Sequence, residues 1–328
     1  MTAPIRTARL SDAPLKPVDA SIPPWPGETE RVRGAEVFVR RTPATGADPE
    51  PALFVHGLGG ASTNWTDLAD LLSGTLAGEA LDLPGFGRSG PVPRADYSVE
   101  GHARTVVALL EKRGGVAVHL FGNSLGGAVA VLVAAARPDL IRTLTLISPA
   151  LPSLRPRRGA DLTMPLLLVP GVGGAVQRRL DGWSAERRAR ATIELCFGDP
   201  GSVPRNRFEE AVDEVARRRA LPWATDAFTA SLRALALSYL AAGDRSLWRR
   251  AASVRAPTLV VWGDRDRLVT VKLAPRAARV IPDARLLVLS GVGHVAQLED
   301  PQLVARAFLG LREDVGRASH REDVPGAR

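Results

Sequence analysis

Apolar positions along the chain fall into two rhythms. Short runs at Ala52 to Val55, Glu79 to Leu83, Val116 to Phe121, Ile141 to Ile147, Thr258 to Trp262 and Arg285 to Leu289 predict strands. The unbroken ones suit a parallel sheet buried on both faces. Longer segments at Val99 to Lys112, Leu125 to Arg137, Val271 to Ile281 and Pro301 to Leu311 read as helices. Val32 to Arg41 alternates, with Val37 and Val39 set against Glu36 and Arg40, as a half-buried strand does, and Pro43 to Pro51 is a turn-rich connection. Strand and helix in alternation predict an α/β chain with a doubly wound, mostly parallel sheet. Ligands then belong at the carboxyl ends of its strands.

The alternation stops between residues 152 and 255. Helix-like pieces at Ala185 to Cys196, Arg207 to Arg219 and Ala227 to Ala242 follow one another there without strands, which reads as a helical cap inserted into a core made of 28–151 and 256–311. Residues 1–27, proline-rich up to Ile22-Pro23-Pro24-Trp25-Pro26-Gly27, are expected to form a flexible, extended N-terminal segment, because proline removes donors and restricts its neighbours. The tail, 312–328, mixes charges without an apolar period and is expected to be loose.

Composition narrows the function classes. Of 328 residues 45% are hydrophobic, enough for a substantial core, and Cys196 stands alone, which excludes an intrachain disulfide and offers no zinc-type spacing. No export-type apolar region opens the chain, and the longest apolar stretches, Leu125 to Ala136 and Leu162 to Val176, fall short of the roughly 18 residues a membrane helix needs. A soluble, cytoplasmic chain without a transmembrane span is expected. The net charge is +8, and residues 152–255 hold eighteen Arg against eleven Asp and Glu. The excess therefore sits in the cap, as a solvated helical surface or one facing an anionic substrate or membrane. Nucleic-acid binding by this arginine-rich cap would require retention on a polyanion that weakens steeply with salt, and no nucleic-acid partner is expected. Oligomeric state leaves no trace in the sequence.

Candidate chemistry starts at Gly122-Asn123-Ser124-Leu125-Gly126, a G-x-S-x-G motif between a predicted buried strand and an alanine-rich helix. A serine on so sharp a strand-to-helix turn has its hydroxyl lifted clear of the sheet, at the cost of backbone strain. Serine is a poor nucleophile at neutral pH and needs a base. His294, on the glycine-rich loop Gly291-Val292-Gly293-His294 after a predicted strand, is better placed for that than His102 or His119, which fall within predicted helix or strand. The imidazole in turn needs a carboxylate partner, and Asp264 and Asp266 compete for the role. The N–H of Leu125, at a helix N-terminus, suits an oxyanion.

These segments, together with His56-Gly57-Leu58-Gly59-Gly60, Asp82-Leu83-Pro84-Gly85-Phe86-Gly87-Arg88-Ser89 and Trp262-Gly263-Asp264-Arg265-Asp266, resemble the α/β-hydrolase family from about Phe54 to Leu311, least closely in the cap. The chain order Ser, Asp, His is the one that family uses. The resemblance implies Ser124 as nucleophile, His294 as base and Asp266, three residues after Gly263, as the orienting acid. It also implies Leu58 as a second oxyanion donor beside Leu125, each such N–H lowering the barrier by roughly 3 kcal/mol. Ester or related acyl cleavage through an acyl-enzyme follows, on a small, apolar acyl substrate and with no metal or organic cofactor. Carbon–carbon bond hydrolysis and acyl transfer with the same three residues are alternatives, and so is a ligand-binding protein with little turnover. Serine at the elbow, where epoxide hydrolases and haloalkane dehalogenases of this fold place Asp, argues against those two chemistries. Trp183, Trp223, Trp248 and the stretch Leu162 to Val172 either roof an apolar pocket or pack the cap helices.

Overall fold

The computed structural model describes residues 4–153 and 178–322. Nine strands form one sheet: β1 (Arg6–Thr7), β2 (Gly27–Val32), β3 (Ala35–Thr42), β4 (Glu50–Val55), β5 (Leu76–Leu81), β6 (Val118–Asn123), β7 (Ile141–Ile147), β8 (Thr258–Gly263) and β9 (Ala284–Leu289). Their order is β1-β9-β8-β7-β6-β4-β5-β3-β2, antiparallel only at the β2–β3 and β3–β5 pairs. The expected doubly wound, mostly parallel sheet is therefore present. Chain order reverses at β4, which pairs with both β5 and β6. That reversal leaves a crevice at the carboxyl ends of β4 and β6, where open α/β sheets bind ligands.

Helices cover both faces of the sheet. On one side lie α2 (Val99–Lys112) and α3 (Leu125–Ala136), and on the other α1 (Thr66–Leu71), the short α9 (Ala296–Glu299) and, at the chain's end, α10 (Pro301–Glu322). Helix α2 forms where the sequence puts a cap before an amphipathic run: the Ser98 hydroxyl accepts the Gly101 N–H at 3.0 Å, satisfying one of the orphan donors of the first turn. Helix α3 is apolar nearly all round, as a helix pressed between sheet and neighbours must be. Under α1 and α10 the aromatic residues cluster. Phe54 stacks on Phe121 at 4.6 Å between centroids, and Phe308 lies 4.9 Å from Phe121. Full burial of each such side chain contributes about 1.5–3 kcal/mol.

Between β7 and β8 the described residues carry helices only: α4 (Ala185–Cys196), α5 (Arg205–Arg219), α6 (Ala224–Ser238) and α7 (Leu247–Ala252). Leu247 and Ala251 of α7 are buried in the same core as α3 and α8 (Ala274–Val280). That short helix belongs with the sheet's own layer, although it falls inside the stretch expected to be cap. The apolar stretch Leu162 to Val172 lies outside the described residues.

Three local expectations change. Val32 to Arg41 is not one strand, because Arg33 and Gly34 both have positive φ, 52° and 79°, and make a two-residue turn between β2 and β3. The N-terminal segment is not loose throughout: Arg6 and Thr7 pair with Arg285 and Leu286 as an edge strand, and Ser11 is buried. The tail from Arg312 continues α10 through Glu322, where Arg9 meets Glu313 and Asp314. The last two changes rest on contacts between positions far apart in sequence, which no local pattern announces.

Candidate active site

Ser124 sits between β6 and α3 with φ 54° and ψ −117°, a backbone conformation that L-residues rarely adopt and that costs on the order of 1–3 kcal/mol. Neighbours hold it there. The Ser124 N–H donates to the Ile147 carbonyl at 3.0 Å, and its carbonyl accepts the Ala128 and Ala150 N–H groups at 3.1 and 2.9 Å. Gly126 lets the elbow pack on the next strand, since a Cβ there would lie 2.2 Å from the Val55 carbonyl oxygen. Unlike most of the elbow around it, Ser124 is only half-buried.

His294 and Asp266 meet below the carboxyl ends of β8 and β9. His294 Nδ1 lies 2.8 Å from Asp266 Oδ2, and both residues are buried, at 4% and 1% exposure. The second carboxylate oxygen accepts the Leu268 and Val269 N–H groups at 2.8 and 2.9 Å. Burial alone would raise the Asp266 carboxyl, but the His294 imidazole and these N–H donors outweigh it and hold the group below its ordinary range. Asp266 is thus an ionised acceptor whose geometry fixes which imidazole nitrogen carries the proton. Asp264, the other candidate, accepts the Gly291 N–H at 2.8 Å and braces the same loop.

The segments bearing Ser124 and His294 are joined through a residue the motif leaves unspecified. Asn123 Nδ2 donates to the His294 and Ile147 carbonyls, each at 3.1 Å, tying the elbow to the His294 loop. Among the described residues no hydrogen bond runs from the Ser124 hydroxyl to the imidazole itself. Leu125 follows the serine in the chain, and Leu58 follows Gly57, which packs against it. Gly57 stands against Ser124, close enough that a Cβ on it would lie 3.1 Å from the Ser124 Cβ, and Leu125 opens α3, whose N-terminal dipole favours an anion.

The Leu58 loop is pinned by His56, which sequence reasoning placed in a motif without a task. Its Nε2 accepts the Leu83 N–H at 2.9 Å and its Nδ1 lies 2.7 Å from the Gly57 carbonyl. One nitrogen must accept and the other donate, so the ring is the neutral Nδ1–H tautomer. Burial pushes its pKa down and keeps it so. From the cap, Arg218 donates to the Gly59 carbonyl at 2.8 Å. Glu299, which carried no signal at all, accepts the Gly198 and Gly293 N–H groups at 2.6 and 2.8 Å. Burial pushes its carboxyl above the usual range.

Two of the three tryptophans singled out in the cap, Trp248 and Trp183, have packing contacts, while the buried Nε1 of Trp223 has no hydrogen-bond partner among the described residues. Trp248 Nε1 donates to the Pro152 carbonyl at 3.0 Å under the Arg276 guanidinium, and Arg187 lies 4.1 Å from the Trp183 ring. A separate cleft of about 650 Å³ between α2 and α3, lined by Arg33, Arg104, Leu132 and Arg245 among others, contains none of the candidate catalytic residues. Among the described residues no helix is long and apolar enough to cross a membrane.

Residues 51–301 match the model of the alpha/beta hydrolase fold family, and the chain belongs to that family. It is 30% identical over 77% of its length to the dihydrolipoyllysine-residue acetyltransferase component of the acetoin cleaving system of Cupriavidus necator. The chain spans only 61% of that component's length. It is 27% identical to the 2-hydroxy-6-oxononadienedioate/2-hydroxy-6-oxononatrienedioate hydrolase of Cupriavidus pinatubonensis, covering 81% of this chain and 89% of that one. Among solved structures, a membrane phospholipase A described as a bacterial virulence factor superposes with a TM-score of 0.67 at 26% identity, covering 88% of this chain and 86% of that one.

Proposed function

We propose that the chain is a serine hydrolase that cleaves an ester or related acyl bond of a small, apolar substrate through an acyl-enzyme on Ser124. The observation that carries this reading is the elbow serine at φ 54° tied by Asn123 to a loop whose histidine is already paired with a buried carboxylate. As the hydroxyl attacks the carbonyl carbon, His294 takes its proton and Asp266 stabilises the imidazolium. Charge growing on the substrate oxygen is met by the N–H groups of Leu58 and Leu125. His294 then returns the proton to the departing alcohol and activates the water that releases the acid.

A fluorophosphonate probe tests this directly. It labels the wild-type protein at Ser124 and leaves Ser124→Ala unlabelled; no labelling of the wild type would favour a ligand-binding protein, and equal labelling of the two would likewise end the proposal. The second reading is a carbon–carbon bond hydrolase with the same three residues, favoured by the dienedioate hydrolase of nearly matching length. Acyl transfer is a third, resting on the acetyltransferase relative. A panel of p-nitrophenyl esters of graded chain length, run beside a carbon–carbon hydrolase substrate and with an added alcohol or thiol acceptor, separates the three by product.

A further inference from the structure

The cap and the base-bearing loop meet main chain to main chain. A Cβ on Gly198 would lie 2.1 Å from the Gly291 carbonyl oxygen, and one on Gly293 would lie 2.3 Å from the Cys196 carbonyl oxygen. No side chain larger than hydrogen fits between these two segments. Helix α4 ends here at Cys196, and a helix's last carbonyls need donors from outside it. They come from the catalytic loops. The His294 N–H donates to the Cys196 carbonyl at 2.6 Å, and Arg267, next to Asp266, donates to the Glu194 carbonyl at 2.6 Å. Glu299 completes the seam, one carboxylate oxygen on Gly198 and the other on Gly293, the residue before His294.

We propose that Glu299 is a positioning residue for the base: it clamps the end of cap helix α4 and the His294 loop into one unit, so that the seating of the cap sets the seating of the imidazole. The inference rests on the reading of His294 as general base. A carboxylate suits the clamp because both of its oxygens accept, whereas an amide of the same shape turns a donor toward one of the two N–H groups. The main chain of His294 is thereby held from the cap, while its ring is held from the core by Asp266.

The test uses the full chain with Glu299→Gln, with Gly198→Ala and with the two combined, and takes Gly182→Ala as a control in the cap but away from the seam, where a new Cβ finds its nearest neighbour at 3.5 Å. On a soluble p-nitrophenyl ester, kcat falls about 10- to 100-fold in Glu299→Gln and in Gly198→Ala, with KM moved by less than about threefold, as misplacement of a reacting group requires. The double variant loses no more than the worse single one, since both substitutions open the same contact. Hydrogen–deuterium exchange of the Gly293 and His294 amides rises in all three and stays at the wild-type rate in Gly182→Ala. A kcat within about twofold of wild type in both single variants, well below their melting temperatures, overturns the proposal, and so do additive losses in the double variant. Unchanged amide exchange overturns it as well. Gly198→Ala decides the matter if Glu299→Gln fails to fold. If the wild-type chain shows no Ser124-dependent turnover, the hydrolase reading fails, and exchange alone then decides whether Glu299 clamps the loop.

Discussion

The sheet core and the cap are held by different forces. In the core, Val55, Gly122, Leu146 and Val260 lie side by side through strand register, and the Val55, Leu146 and Val260 side chains are fully buried. The cap helices draw in addition on several arginines, beside the apolar contacts of Ala227, Ala230 and Leu235 and the main-chain seam at Cys196. Arg207 pairs with Asp67, Arg217 donates to the Gly87 carbonyl, Arg218 to the Gly59 carbonyl and Arg267, from the core, to the Glu194 carbonyl. Close packing fixes atoms to fractions of an ångström because any shift opens voids. Charged hydrogen bonds hold long, rotatable side chains and tolerate rearrangement. The candidate residues Ser124, Asp266 and His294 all lie on loops and turns of the core. The basic excess of residues 152–255 acquires a reason, since several of its guanidinium groups fasten the cap.

Five measurements sharpen or break that contrast. The largest effect belongs to Ser124→Ala, which lowers kcat by at least about 10³-fold, with a melting temperature close to that of wild type because alanine keeps the Cβ and the same strained backbone. Next, Asp266→Asn keeps the shape but loses the charge and allows the wrong imidazole tautomer, and kcat falls about 10³- to 10⁴-fold. If either variant retains activity within tenfold, the core does not hold the chemistry.

The cap is probed by Arg207→Ala. Arg207 and Asp67 are 11% and 7% exposed, and leaving the carboxylate alone in that setting costs about 3 kcal/mol of stability in urea melts. Activity at 25 °C stays within about threefold of wild type. Loss of activity as deep as that of Asp266→Asn would erase the distinction between the regions. A graded effect comes from acid. Burial pushes His119 down to about 4 and His102 down to about 3. In the unfolded chain both take up a proton near pH 6.5, while in the fold they stay neutral, so stability falls as pH drops below about 6.5, by up to about 1.4 kcal/mol per unit for each group. For His119 that slope ends near pH 4. Urea melts between pH 7 and 4.5 show it, and His119→Gln makes it shallower. The smallest effect is Arg205→Ala: at 92% exposure its pair with Glu209 is worth less than about 0.5 kcal/mol, and a larger loss would mean that exposed cap arginines also bear load.

Much of the core was legible beforehand. Helix α2 begins and ends where the amphipathic pattern does, at Val99 and Lys112, and α4 spans Ala185–Cys196 as expected. Local physics suffices there: a cap residue, a period and a stop. The candidate site was legible to the extent that its chemistry is carried by short motifs, so the elbow around Ser124 and the loop of His294 stood out. Asn123, His56 and Glu299 did not, because their work depends on partners 171, 27 and 101 residues away. A polar residue that bonds to distant main chain has no characteristic neighbours in sequence.

From its order of residues alone this protein determined a parallel sheet wound in two directions, a serine on a sharp turn, and the residue types able to activate it, because periodicity and turn chemistry act over a few neighbouring positions. Only the folded molecule decided which of two aspartates faces the histidine, which tautomer His56 adopts, and that the end of a cap helix is held by the loop bearing His294. Those outcomes depend on distances between segments brought together by burial, and burial is a property of the whole chain.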